Sequence, residues 1–163
     1  MKNNWAKTLL YVYKYLERVC DGIDKLVDQN ALNSFFYCQS RSENDINSVA
    51  ERIAKLCERK AKLVNIKVLV DTCLLKSEKL NAQLLIEKYI DGDISEIIAK
   101  RHSFNVRTYF RKLIQAESKF TTLMYHEGFS EAKLEEYLAG EKWILEVYEK
   151  LKNEGRFDYD NEN

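Results

Sequence analysis

Apolar residues recur along this chain at steps of three and four almost from end to end, the spacing of one face of an α-helix. Over Asn4 to Asp28 the row is Trp5, Leu9, Val12, Leu16, Val19, Ile23 and Leu26, which predicts a first helix. Asn30 to Tyr37 reads as a short further helix, with Phe35 and Phe36 covering the core. The run CQSRSEN, Cys38 to Asn44, interrupts the period and is the best interior boundary. Asp45 is placed to cap the next helix, whose row is Ile46, Val49, Ile53, Leu56, Leu63, Val70 and Leu74. Val64, Ile66, Val68 and Leu69 add apolar surface on further sides, as in a helix that is central in a bundle or lies in a dimer seam. About 30 helical residues span roughly 45 Å, long for a chain of this size, and a break is expected near Lys76–Lys79.

The pattern continues through Leu80 to Ile90, with Leu80, Leu84, Leu85 and Tyr89 inward, to a turn at Asp91–Gly92–Asp93. Ser95 is expected to cap a short helix and Asn105 to open a longer one that runs to His126, where Gly128 is the stop signal. Ser130 then caps a last helix to about Leu151, carrying Leu134, Leu138, Trp143, Ile144, Val147 and Tyr148, with Gly140 as a kink. Residues 153–163 (NEGRFDYDNEN) have no period and are expected to fray.

Composition sharpens this picture. Proline is absent and there are only 5 glycines in 163 residues, so little interrupts helices, and the chain reads as all-α. The net charge of zero argues against a general polyanion binder, but its distribution is uneven. Glu96 to Lys119 holds 6 cations and 2 anions, whereas Glu127 to Asn163 holds 11 acids and 5 bases. The 4 cysteines, Cys20, Cys38, Cys57 and Cys73, have no C-x-x-C spacing, and His102 and His126 stand far apart, so no zinc set and no metal site is expected. Free thiols, no signal peptide and no long apolar run point to a cytoplasmic protein with no membrane span. No phosphate-binding glycine loop and no hydrolase or metalloprotease motif occurs, so neither an enzyme nor a cofactor is expected.

The stretch ISEIIAKRHSFNVRTYFRKLIQA, Ile94 to Ala116, carries the chemistry. Ile98 and Ala99 give a first helix its apolar contact and a small residue. His102–Ser103–Phe104 supplies a break and a buried aromatic, and Asn105 caps a basic second helix. On these residues the chain resembles the helix-turn-helix of sigma-70 region 4 and of phage transcriptional regulators of the RinA/ArpU kind. Ile98–Ala99 matches the family's IA pair, Ser103 its turn glycine, Phe104 the apolar position, Asn105 the capping serine, Thr108 the threonine, Tyr109 the valine and Leu113 the leucine. His102 departs from the usual leucine. The resemblance covers Leu80 to Ala116.

A helix-turn-helix presents its second helix to the DNA major groove. Arg107 and Arg111, one turn apart, suit guanine O6 and N7, the alternative being two solvated surface charges. Asn105 can cap the helix or reach a base, with capping the first reading, and Val106 can touch a thymine methyl. Thr108, Lys112, Lys100 and Arg101 suit phosphates, which fix position without reading sequence. Tyr109 reads as core on Ile98 and Phe104. Phe110 reads first as packing on a neighbouring helix and second as a thymine-methyl contact. WILEVY, Trp143 to Tyr148, reads as the core of the last helix, with a protein contact as the alternative.

The expectation is thus an all-α helical bundle containing a helix-turn-helix DNA-binding domain. It comprises an N-terminal helical region over 1–78, the helix-turn-helix over 79–127, a packing helix over 128–152 and a tail over 153–163. The expected function is sequence-specific binding of double-stranded DNA in transcriptional control. The resemblance implies a contact with RNA polymerase, although no region 2 of a complete sigma factor is present. The broad apolar surface over 45–75 predicts a homodimer. The alternative is a non-enzymatic helical interaction module, such as an adaptor or an anti-sigma-like protein, which the neutral total charge and acidic C-terminus favour.

Overall fold

The computed structural model of the chain describes residues 3–37 and 43–160, with side chains over 3–34 and 46–154. Every element among them is helical: α1 (Asn4–Tyr37), α2 (Glu43–Lys76), α3 (Lys79–Leu85), a π-helical turn (Ile86–Ile90), α4 (Ser95–Arg101), α5 (Val106–His126), α6 (Glu131–Tyr137) and α7 (Lys142–Asp160). The expected all-α class therefore forms, and no helix among the described residues is long and apolar enough to cross a membrane. The predicted break at Lys76–Lys79 lies where α2 gives way to α3.

Several boundaries differ from the sequence pattern. α1 runs unbroken through Asp28 and Asn30, because the Asn30 amide donates back to the Leu26 carbonyl at 2.7 Å and so satisfies itself inside the helix. The Phe35 and Phe36 side chains and the segment 38–42 lie outside the described residues. α2 begins at Glu43, so Asp45 stands within its first turn and does not precede it. The C-terminal stretch is two helices: Ser130 caps α6 through the Lys133 amide, the chain turns at Leu138–Gly140, and α7 starts at Lys142. Gly140 therefore sits in a full break between helices. α7 continues to Asp160, past the point where fraying was expected.

The chain divides into two compact units, Tyr15–Lys67 and Met1–Lys14 with Val68–Asn163. Both α1 and α2 supply residues to each of the two units. In the smaller unit Leu16, Cys20, Ile23, Leu63 and Ile66 are buried. Lys60 meets Asp24 at 2.6 Å and Lys67 meets Glu17 at 3.4 Å. Such exposed pairs orient helices more than they stabilise them. Ile46 and Val64 stand exposed, so the apolar stripe of α2 is broader than the face that packs.

In the larger unit the first turns of α1 bury Trp5, Leu9 and Leu10, and the Trp5 ring stacks on Tyr148 of α7 with centroids 4.4 Å apart. Of the WILEVY stretch only Ile144 is fully buried, while Trp143, Leu145, Val147 and Tyr148 are half-buried and Glu146 is exposed. Leu84 and Leu85 of α3, Ile98 and Ala99 of α4, and Tyr109, Leu113, Phe120 and Met124 of α5 complete that core. Both α3 and α4 pack on α5. Cys73 is buried in this unit, Cys20 in the smaller one, and Cys57 is exposed. Buried cysteine behaves as a small hydrophobe.

Candidate nucleic-acid interface

The local geometry of α4 and α5 follows from three backbone devices. Ile94, extended at φ −70°, accepts the first amides of α4. Ser95 is therefore the first helical residue and not the cap; its hydroxyl instead accepts a hydrogen bond from the Lys88 ammonium at 3.0 Å. α4 ends in a Schellman motif, in which the Phe104 amide donates to Ala99 O at 2.8 Å and the Ser103 amide to Lys100 O at 3.1 Å. This closure needs a left-handed residue, and Ser103 supplies it at φ 56°. α5 ends in the same way on Gly128 at φ 84°, where the left-handed residue has no Cβ to strain. The glycine-like role expected of Ser103 is thus visible in the backbone. Two residues on, Asn105 caps α5, its side-chain oxygen accepting the Thr108 amide at 2.7 Å.

Around this turn the cations differ in how they are held. Arg101 is clamped, with Glu87 at 3.0 Å and Asp93 at 2.9 Å, and these two carboxylates push its pKa above the usual guanidinium value. His102 ends α4 with its Nε2 2.9 Å from the second Glu87 oxygen. Phe104 is half-buried and not fully buried as expected; the cover it has includes His102, stacked at 5.9 Å, and the Lys112 ammonium, 5.3 Å from its centroid. Lys100 is exposed, and Thr108 is partly buried behind the cap. Arg107 and Arg111 are exposed on one side of α5 and enter no ion pair or hydrogen bond among the described residues.

Of the eight sequence-derived candidates, the fold brings Asn105, Val106, Arg107, Thr108, Arg111 and Lys112 to the first two turns of α5, with Lys100 and Arg101 at the end of α4. Tyr109 is core, fully buried as read, and burial raises its pKa more than the nearby Ser95 hydroxyl lowers it. Phe110 sets its ring edge-on to Tyr109 at 5.1 Å yet keeps 44% of its surface exposed.

One feature escaped the sequence reading. Positions 110, 114, 117 and 121 recur at helical steps and share one side of α5. Toward the C-terminal end, where Asn3 and Lys7 of α1 cover that side, the occupants are the polar Glu117 and Thr121, and both are buried. Toward the N-terminal end that side is only partly covered, and the occupants are the apolar Phe110 and Ile114, the latter 58% exposed. With Val106 at 45% they form an exposed apolar row over three turns, beside the row of Arg107 and Arg111. Ile114, four residues beyond Phe110, was the signal available in the sequence.

Compared with known proteins, the chain matches no family model, no curated protein and no solved structure.

Proposed function

We propose that this chain is a DNA-binding transcriptional regulator of helix-turn-helix type, with α4 lying over the backbone and the N-terminal half of α5 entering the major groove. The observation that carries the reading is the pair Arg107 and Arg111: two guanidiniums one turn apart, exposed and unneutralised, directly after a tight turn and a capped helix start. A guanidinium in that position can donate two hydrogen bonds to one guanine edge. Lys100 and Lys112 suit phosphates beside them. Arg101 must exchange its carboxylate partners to do the same, so it acts first as the strut that ties α4 to the π-helical turn. Dimerisation through α2 belongs to the same reading, with Ile46 and Val64 exposed in the smaller unit, and light scattering at micromolar concentration tests it.

The deciding experiment is selection of genomic DNA fragments by the purified protein, followed by fluorescence anisotropy on the enriched site at two salt concentrations. Binding weakens steeply with salt as counterions are released. Arg107→Ala and Arg111→Ala each cost about 1–3 kcal/mol on the preferred site and much less on random DNA. Equal losses on both would remove the base-reading role. No enrichment at all would leave the helical interaction module as the better account.

A further inference from the structure

Val106, Phe110 and Ile114 form a row that keeps about half its surface in solvent, with only the Phe110 ring set against a core side chain, Tyr109. Single exposed apolar residues are ordinary. Three on successive turns are not, when the line that carries Phe110 and Ile114 continues into the buried polar residues Glu117 and Thr121. Along the line of Phe110, Ile114, Glu117 and Thr121 the apolar residues face solvent and the polar ones are packed. Such an inversion is expected of a surface that becomes buried in a complex.

The charges beside the row say what that complex is made with. Arg107 and Arg111 run parallel to it, and Lys100 and Lys112 flank the start of the helix. A ligand that satisfies both rows must offer anionic oxygens, hydrogen-bond acceptors and isolated apolar groups at close spacing. The major groove of DNA offers all three, and its one apolar group is the C5-methyl of a pyrimidine. Resting on the DNA-binding reading above, we infer that Val106, Phe110 and Ile114 read pyrimidine C5-methyl groups, in thymine or 5-methylcytosine, alongside the guanines addressed by the two arginines. Residues four apart rise about 6 Å along a helix, and base pairs rise about 3.4 Å. The contacted methyls therefore fall roughly two base pairs apart, over a span of about four.

The test replaces thymine by deoxyuridine, one position at a time, in the site enriched by selection. This removes a methyl and leaves every hydrogen-bonding group in place. Loss of about fourfold in affinity is expected at each contacted thymine, the value of one buried methyl-sized group. In Phe110→Ala and Ile114→Ala the discrimination at the corresponding position disappears, while circular dichroism stays unchanged because both side chains lie outside the core. Arg107→Ala binds more weakly but still prefers thymine to uracil. Probes carrying cytosine or 5-methylcytosine at the same positions separate the two sources of the methyl. If the methylated probe outbinds the thymine one, the ligand is methylated DNA; in the reverse case it is unmodified DNA.

Equal affinity for thymine and uracil probes, with no gain from 5-methylcytosine, overturns the inference. In that case sensitivity to Arg107→Ala would show that the DNA-binding reading itself survives. Failure to bind any duplex overturns both.

Discussion

The Tyr89 hydroxyl donates a hydrogen bond to the Glu117 carboxylate inside the larger unit, and Lys7 lies 3.5 Å from the second carboxylate oxygen. Glu117 is only 3% exposed, so these partners are what make its burial tolerable. A hydrogen bond to a charged group contributes about 1.5–3 kcal/mol. Tyr89→Phe should therefore lower stability by about 2 kcal/mol in urea denaturation, with no change in helix content.

The same pair sets an alkaline limit. Burial, then the Glu117 charge and hydrogen bond, raise the Tyr89 pKa far above its ordinary value. The folded protein thus keeps this proton to a higher pH than the unfolded chain does. The contribution is complete below the unfolded value, about pH 10, and is lost as pH rises beyond it. Urea midpoints measured on either side of that pH should fall in the wild type and fall less in Tyr89→Phe. Parallel curves for the two proteins would contradict this assignment.

Ser103 offers a sharper backbone test. A left-handed residue with a Cβ costs about 1–2 kcal/mol, and glycine removes that strain at about 0.5–1 kcal/mol of unfolded-chain entropy. Ser103→Gly should match or exceed the wild type by up to about 1 kcal/mol. Ser103→Val, branched at Cβ, should lose about 2 kcal/mol. A thermal melt that ranks valine above glycine would mean that the turn adopts another conformation.

Asn105 joins stability to the proposed interface. Asn105→Ala removes the acceptor for the Thr108 amide and should cost about 1 kcal/mol, whereas Asn105→Ser should retain most of it. If the serine variant binds DNA as the wild type does, the residue acts as a cap only. If it folds normally and loses sequence preference, Asn105 also reaches a base.

Thiol chemistry checks the packing independently. Burial, helped by the Glu127 charge, pushes the Cys73 thiol up to about 12, so it stays protonated at neutral pH. Cys57 is exposed. Iodoacetamide at pH 8 should label Cys57 within minutes and Cys73 only after denaturation, as read by peptide mass mapping. Rapid labelling of Cys73 in the native protein would show that α2 does not pack as described.

What the sequence made legible were local devices with a single solution. Asn105, Gly128 and Ser130 are caps or stops whose chemistry is stated by residue type, and the fold uses each of them as such. Ser103 was legible only by its place in a pattern, since nothing about serine itself announces a positive φ. The failures came where a polar residue had more than one way to be satisfied. Asn30 bonds back within α1 and does not end it, and Ser95 accepts from Lys88 and does not cap α4. The π-helical turn at Ile86–Ile90 has no residue signature here, and the break at Leu138–Gly140 depends on Glu141 starting a new helix, where it accepts the Trp143 indole N–H at 2.9 Å. Periodicity also assumes that apolar means buried, an assumption that α5 reverses along one side.

That contrast separates two kinds of position on one helix. Tyr109, Leu113 and Phe120 are constrained by the core, and a change at any of them is felt as lost stability. Val106, Phe110 and Ile114 keep about half their surface in solvent and contribute less to the core, Phe110 through its edge-on contact with Tyr109. Substitution along that row should therefore cost much less stability than substitution at Tyr109, Leu113 or Phe120.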